Sequence, residues 1–243
     1  MSAGEVTLIL LVGVVGVTII SSAFLLLNEA QRKSWLPILI SFATGSLLAT
    51  ALLVTIPDAS RQIGPTKALQ WVLFGILFFF LLERLVIFRH CHEHDCATHK
   101  GAGIVILSGD AIHSFFDGVI IAAAFQYSRE LGTATTIAIL IHEIPQEVSD
   151  IAILLESGFS RRKAFFYNFL AALPALAGGI LTFYFLSELR YLTPYFMSIS
   201  AASLLYVAIS DLVPGLHKYT GWKAGLLHFA FVLLGVAAIY LVR

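Results

Sequence analysis

Charge is what this sequence has least of. Only 12% of its 243 residues are Asp, Glu, Lys or Arg, about half the share found in a soluble domain. So few charges argue against a chain that lies wholly in water. Those present balance to zero, which leaves no basic face for nucleic acid, and no nucleic-acid partner is expected. Cysteine is scarce too. The only two, Cys91 and Cys96, share one polar loop, and nothing suggests a disulfide framework. The stretch Met1 to Glu5 holds no Lys or Arg. Without a basic lead-in, the first apolar run reads as a retained helix rather than a cleaved signal.

What the chain has instead is apolar length. It is 58% hydrophobic, with a mean hydropathy of +0.89. The apolar residues fall into eight segments, at 6–27, 35–57, 68–88, 102–127, 131–155, 162–187, 191–213 and 222–242. Each is near the ~20 residues that cross a bilayer as a helix. Lipid forces backbone polar groups to pair within a segment, and these runs are too long and too uniform for barrel strands. The expected fold is an all-α membrane protein of eight transmembrane helices, with residues 1–243 forming one transmembrane domain.

Lys and Arg set the orientation. Ten lie in one set of loops: Arg32, Lys33, Arg84, Arg89, Lys100, Arg161, Arg162, Lys163, Lys218 and Lys223. Five lie in the other: Arg61, Lys67, Arg129, Arg190 and Arg243. The richer side is expected in the cytoplasm, with both termini outside a plasma (inner) membrane. A repeat is also visible. Segment 2 reads Ser46-Leu47-Leu48, then Ala51 and Pro57; segment 7 reads Ser203-Leu204-Leu205, then Ala208 and Pro214. The offsets are identical, while the two segments run in opposite directions. That predicts a 3+2+3 inverted repeat with segments 4 and 5 at its centre.

Segments 4 and 5 hold nearly all the intramembrane polarity. Segment 4 has Asp110, His113, Ser114 and Asp117; segment 5 has His142, Glu143, Gln146, Glu147 and Asp150. Uncompensated, five carboxylates there would cost on the order of 10 kcal/mol. No Lys or Arg lies nearby in either segment, so a bound cation is the expected partner. His113 and Asp117 are four residues apart, as are His142 and Gln146, and Glu143 and Glu147; each pair shares a helix face. Both histidines sit roughly 16 Å into their segments, near the midplane. Imidazole with carboxylate suits Zn2+, and also Fe2+, Mn2+, Co2+ or Cd2+. Pro145 should kink segment 5 at this level. A structural or proton-carrying polar network is the alternative.

A second cluster, His90, Cys91, His92, His94, Cys96 and His99, lies in the loop 89–101 on the expected cytoplasmic side. It reads as a soft-metal receiver or sensor, or as a solvated linker. Asp211, near the cytoplasmic end of segment 7, reads as an exit residue or a helix-end hydrogen bond. Asp58 reads as a solvated cap.

The stretch Gly109-Asp110-Ala111-Ile112-His113-Ser114-Phe115-Phe116-Asp117-Gly118 resembles the GDxxHNxxDG motif of the ZIP (Zrt/Irt-like) metal transporters. His142-Glu143-Ile144-Pro145-Gln146-Glu147 resembles their HEIPHE motif. The likeness is close over 100–214 and looser before it. It implies uptake of a divalent cation, usually zinc, as substrate, and no enzymatic activity. By position, His113, Asp117, His142 and Gln146 match a first metal subsite, and Ser114 and Glu143 a second. The resemblance also implies movement of one helix bundle against another and assembly as a homodimer. Three departures stand out: Ser114 for Asn, Gln146 for His, and Ala171, Ala172 and Leu173 where some members have an acid. Two other classes remain open. One is an intramembrane metallohydrolase, because His142-Glu143 begins an HExxH pattern. The other is a metal sensor without flux.

Overall fold

The computed structural model describes residues 2–90, 100–185, 190–217, 219 and 221–242. The described residues form helices and no strand: α1 (Ala3–Ser22), α2 (Glu29–Ala49), α3 (Ile56–Ile63), α4 (Pro65–His90), α5 (Lys100–Tyr127), α6 (Arg129–Glu156), α7 (Arg161–Ala172), α8 (Pro174–Phe185), α9 (Thr193–Val207), α10 (Val213–Leu216) and α11 (Trp222–Val242). Seven stretches are long and apolar enough to cross a membrane: Gly4–Leu26, Glu29–Ile63, Pro65–Arg84, Leu107–Gln126, Arg161–Phe185, Thr193–Leu216 and Trp222–Leu241. Helix α6, in the fifth predicted segment, is not among them; its 28 residues reach about 42 Å, but they carry Glu143, Glu147 and Asp150. Large apolar side chains such as Leu73, Phe80, Phe229 and Leu241 cover the outer surface, as lipid rather than water requires. This is an all-α membrane protein.

Three segments depart from a plain helix, each at a proline. Pro174 has no N–H to donate, and the hydrogen-bond ladder breaks between α7 and α8. In segment 2 a π turn, Thr50–Thr55, separates α2 from α3. In segment 7 a π turn, Ala208–Leu212, separates α9 from α10. Each lies just ahead of a proline, Pro57 or Pro214. The Ile56 N–H donates to the Ala51 carbonyl, and the Val213 N–H to the Ala208 carbonyl. These are equivalent residues of the repeat, so the shared Ala and Pro positions mark one local device used twice. The π turn after α2 packs on α9, and the π turn after α9 packs on α2. A parallel pair would set the two turns side by side; this reciprocal contact is that of an antiparallel pair.

The helices sort into two bundles. Helices α1, α5, α6, α7 and α8 pack together, as do α2, α3, α4, α9, α10 and α11. Reciprocal glycines draw one helix pair in each bundle close. A Cβ on Gly118 would fall on the Ala175 carbonyl, and one on Gly178 on the Phe115 carbonyl, joining α5 to α8. Gly45 and Gly235 do the same against Val232 and Phe42, joining α2 to α11. Small residues let membrane helices approach in this way. Between bundles, α2 packs on α6, and α9 and α4 on α5.

Ser128 alone links α5 to α6, its hydroxyl accepting from the Leu131 N–H as an N-cap. His113 lies 15 residues before Ser128 and His142 lies 14 after it, so this tight hairpin brings the two histidines level. At the far end, Gly158 (φ +84°) closes α6. The Phe159 N–H reaches the Leu154 carbonyl and the Gly158 N–H the Leu155 carbonyl, a Schellman cap that needs glycine's left-handed freedom.

Candidate metal centre

Four side chains converge between α5 and α6. The His113 Nε2 is 3.2 Å from Glu143 Oε1 and 3.5 Å from Asp117 Oδ2. The His142 Nε2 is 3.3 Å from Asp117 Oδ2 and 3.8 Å from Glu143 Oε1. All four ligand atoms lie within 4.8 Å of one another. A tetrahedral zinc with ~2.0–2.1 Å arms has edges of about 3.3–3.4 Å, close to the four measured separations. The four residues are buried, and each of these four atoms lacks a hydrogen-bond partner. Unpaired buried polar atoms are costly; these four form a group that could hold a metal ion.

The second nitrogens fix the rings. The His142 Nδ1 lies 3.0 Å from the Ala138 carbonyl oxygen. A carbonyl only accepts, so Nδ1 carries the proton and Nε2 presents its lone pair to the centre. The His113 Nδ1 lies 3.1 Å from the Ser203 Oγ on α9. The first contact stays within one helix; the second crosses to the other bundle.

The remaining predicted residues fall around this centre. Gln146 donates through its Nε2 to Asp110 Oδ1 at 2.9 Å, and its Oε1 is buried with no hydrogen-bond partner. Ser114, Glu143, Asp117 and Glu147 line a small cavity against α1. There the Thr18 hydroxyl donates to Glu147 Oε1 at 3.0 Å. One turn away, the Ser21 hydroxyl donates to the Ile144 carbonyl at 3.2 Å. Asp110 and Asp150 are buried on the far side of the centre from the Ser128 turn. Cys91, His92, His94, Cys96 and His99 lie outside the described residues, as do the side chains of His90 and Asp211.

A cavity of about 810 Å³ leads to the centre. Asp117 and His142 line its floor; Thr50, Thr55 and Ser200 line its wall; Asp58, Arg61, Gln62, Leu131 and Tyr191 stand at its mouth. The Asp58 carboxylate, expected as a solvated cap, is on this cavity and pairs with Arg61 at 2.7 Å. At the opposite end Asp110, Gln146, Ser149 and Asp150 are buried. Among the described residues, the large cavity reaches the centre from the Asp58 end.

Three polar residues were not among the site residues expected from the sequence. Ser203 supports His113 and Thr18 supports Glu147, both across long sequence separations. Asn168 on α7 is 0% exposed, and neither its amide oxygen nor its nitrogen has a hydrogen-bond partner. Its signal was present in the sequence as a lone amide in the apolar run Phe165-Phe166-Tyr167-Asn168-Phe169-Leu170.

Known proteins resemble this chain in the same region. The family model described as ZIP Zinc transporter matches residues 88–243. Zinc transporter ZIP13 of Pongo abelii is 31% identical, over 77% of this chain and 61% of its own length. Zinc transporter ZIP10 of Danio rerio is 37% identical over 47% of this chain and 14% of its own. Zinc transporter zipt-7.1 of Caenorhabditis briggsae is 27% identical over 94% of this chain and 77% of its own. The chain thus spans less than two thirds of the length of the first two relatives.

Proposed function

The chain belongs to the ZIP zinc transporter family, and from that premise we propose that it carries divalent cations, zinc foremost, across a membrane. One observation carries the reading: four ligand atoms without hydrogen-bond partners, on His113, Asp117, His142 and Glu143, converge where Asp117 and His142 line a large cavity. A resident structural ion has no need of such a cavity; a travelling one does. The ion enters between Asp58, Tyr191 and the α5–α6 turn, loses its water, and is held by two imidazoles and two carboxylates. Borderline nitrogen and oxygen donors suit zinc, and admit iron, manganese, cobalt or cadmium.

All four ligands lie on α5 and α6, in one bundle. That bundle carries the ion past α2 and α9 of the other, closing the cavity and opening a path beside Asp110 and Asp150. Ten of the fifteen Lys and Arg residues belong to the connections and helix ends expected at that second end, which supports a cytoplasmic side for it, in a plasma membrane. Transport is then uptake, and the His90–His99 loop receives the ion, with Asp211 on its way out. A hydrolase is disfavoured by two positions. Gln146, where HExxH has its second histidine, is turned to Asp110, and Glu143 is spent as a ligand rather than held free as a base.

The test is flux. Native protein in liposomes holding a zinc-sensitive dye is expected to give a metal-dependent signal, and His113→Ala a signal near background. Native protein that binds zinc and gives no flux would sink the transport reading and favour a sensor.

A further inference from the structure

The two ligand histidines are supported unequally, and the repeat shows what the inequality means. His113 on α5 reaches across to Ser203 on α9, at 3.1 Å. His142 on α6 turns instead to its own helix, to the Ala138 carbonyl four residues back. The repeat pairs Ser203 with Ser46 in the matching triplet Ser-Leu-Leu, and pairs α5 with α6. Ser46 is therefore to His142 what Ser203 is to His113. It is not bonded to His142 here; its hydroxyl donates to the Ala43 carbonyl, at 2.9 Å.

Packing puts Ser46 at the depth of His142. On α2, Ala43 and Leu47 share a buried cluster with Val148, Ile151 and Ala152 of α6. Ala49 shares another with Ala138, against which Ile141 packs. Rising numbers on α2 meet falling numbers on α6, so the helices are antiparallel. One turn back from Ala49 is Ser46, and one turn on from Ala138 is His142. In an antiparallel pair those steps run the same way, which brings Ser46 level with His142. Ser46 is 0% exposed and stands on a helix packed against α6.

We propose that Ser203 and Ser46 are alternating positioning residues: Ser203 holds the His113 ring when the cavity is open at the Asp58 mouth, and Ser46 holds the His142 ring when it is open at the other end. This rests on the transport reading above. An inverted repeat reaches its second state when its halves exchange conformations. In that state the His113 Nδ1 returns to its own i−4 carbonyl, Gly109, as the His142 Nδ1 now uses Ala138. His142 then takes the Ser46 hydroxyl. Neither serine touches the ion. Each orients one imidazole and favours one state, by the contribution of one hydrogen bond.

The experiment reads the states directly, without metal. Cys91 and Cys96 are replaced by Ser, and spin labels are placed through Gln62→Cys and Leu131→Cys, which both line the cavity and belong to different bundles. Pulsed dipolar distances are recorded in lipid nanodiscs. Loss of one buried hydrogen bond shifts such an equilibrium by roughly 2- to 10-fold. Ser203→Ala is expected to raise the short, closed-mouth population by that factor, and Ser46→Ala to raise the long, open-mouth population. Ser203→Thr and Ser46→Thr, which keep the hydroxyl, are expected to restore the native ratio. Two alanine variants that move the populations the same way, or leave them unmoved, overturn the proposal. Native protein that shows both populations but no zinc flux would instead overturn the transport reading and leave the exchange standing.

Discussion

Glu143 brings a carboxylate oxygen to the centre, and Gln146 donates to Asp110. Spacing puts Gln146 on the face of His142, four residues on. In the structure Asp110 takes the Gln146 amide N–H, the donor a buried carboxylate needs, and Glu143, next to His142 in the chain, reaches the centre. Glu143→Ala is therefore expected to weaken zinc binding by more than the roughly 10–100-fold that loss of a supporting contact costs. Gln146→Ala should stay within that range, and calorimetry on purified protein compares the two. Thr18→Val removes the donor to the buried Glu147; a loss of about 1–3 kcal/mol of stability is expected, measured by unfolding in detergent, with Thr18→Ser close to native. His113, Asp117 and His142 were legible because intramembrane polarity is expensive and helical spacing fixes faces. Ser203, Thr18 and the Gln146–Asp110 bond were not, because each depends on which distant helices pack together.

At the scale of the element, the apolar runs announced their helices, and the acids of α6 did not prevent it from forming. The interruptions were less legible. Pro174 marks the α7–α8 break, yet nothing in residue type distinguishes a π turn from a kink. The repeat held the clue: its Ala and Pro positions are the acceptor of the wide turn and the proline that follows it. Close helix approach gives a sharp prediction. Gly118→Ala sets a Cβ onto the Ala175 carbonyl, so α5 and α8 must separate, at an expected loss of about 1–3 kcal/mol. Gly16→Ala in α1 meets nothing within 4 Å and should hold or gain about 0.5–1 kcal/mol. Thermal unfolding of the two variants side by side checks both signs.

At the scale of the whole molecule, the division into bundles explains why the ligand set is drawn from two helices only. A site that travels cannot take ligands from the part that stays. Ser203 is the instructive exception, since it supports a ligand from the stationary side and must let go. Joining Gln62→Cys to Leu131→Cys with a cleavable thiol crosslinker, after Cys91 and Cys96 are replaced by Ser, should halt zinc flux in liposomes, and cleaving the linker should restore it. None of this was visible in composition, which gives the membrane but not the partition of its helices.

The central claim is that the transported ion rests among His113, Asp117, His142 and Glu143. Zinc-edge anomalous diffraction from crystals grown with zinc tests it most directly. The account predicts an intramembrane peak about 2.0–2.1 Å from the His113 Nε2, the His142 Nε2, an Asp117 oxygen and a Glu143 oxygen. An intramembrane peak seated instead on Asp110 and Gln146, with those four atoms uncoordinated, would contradict it.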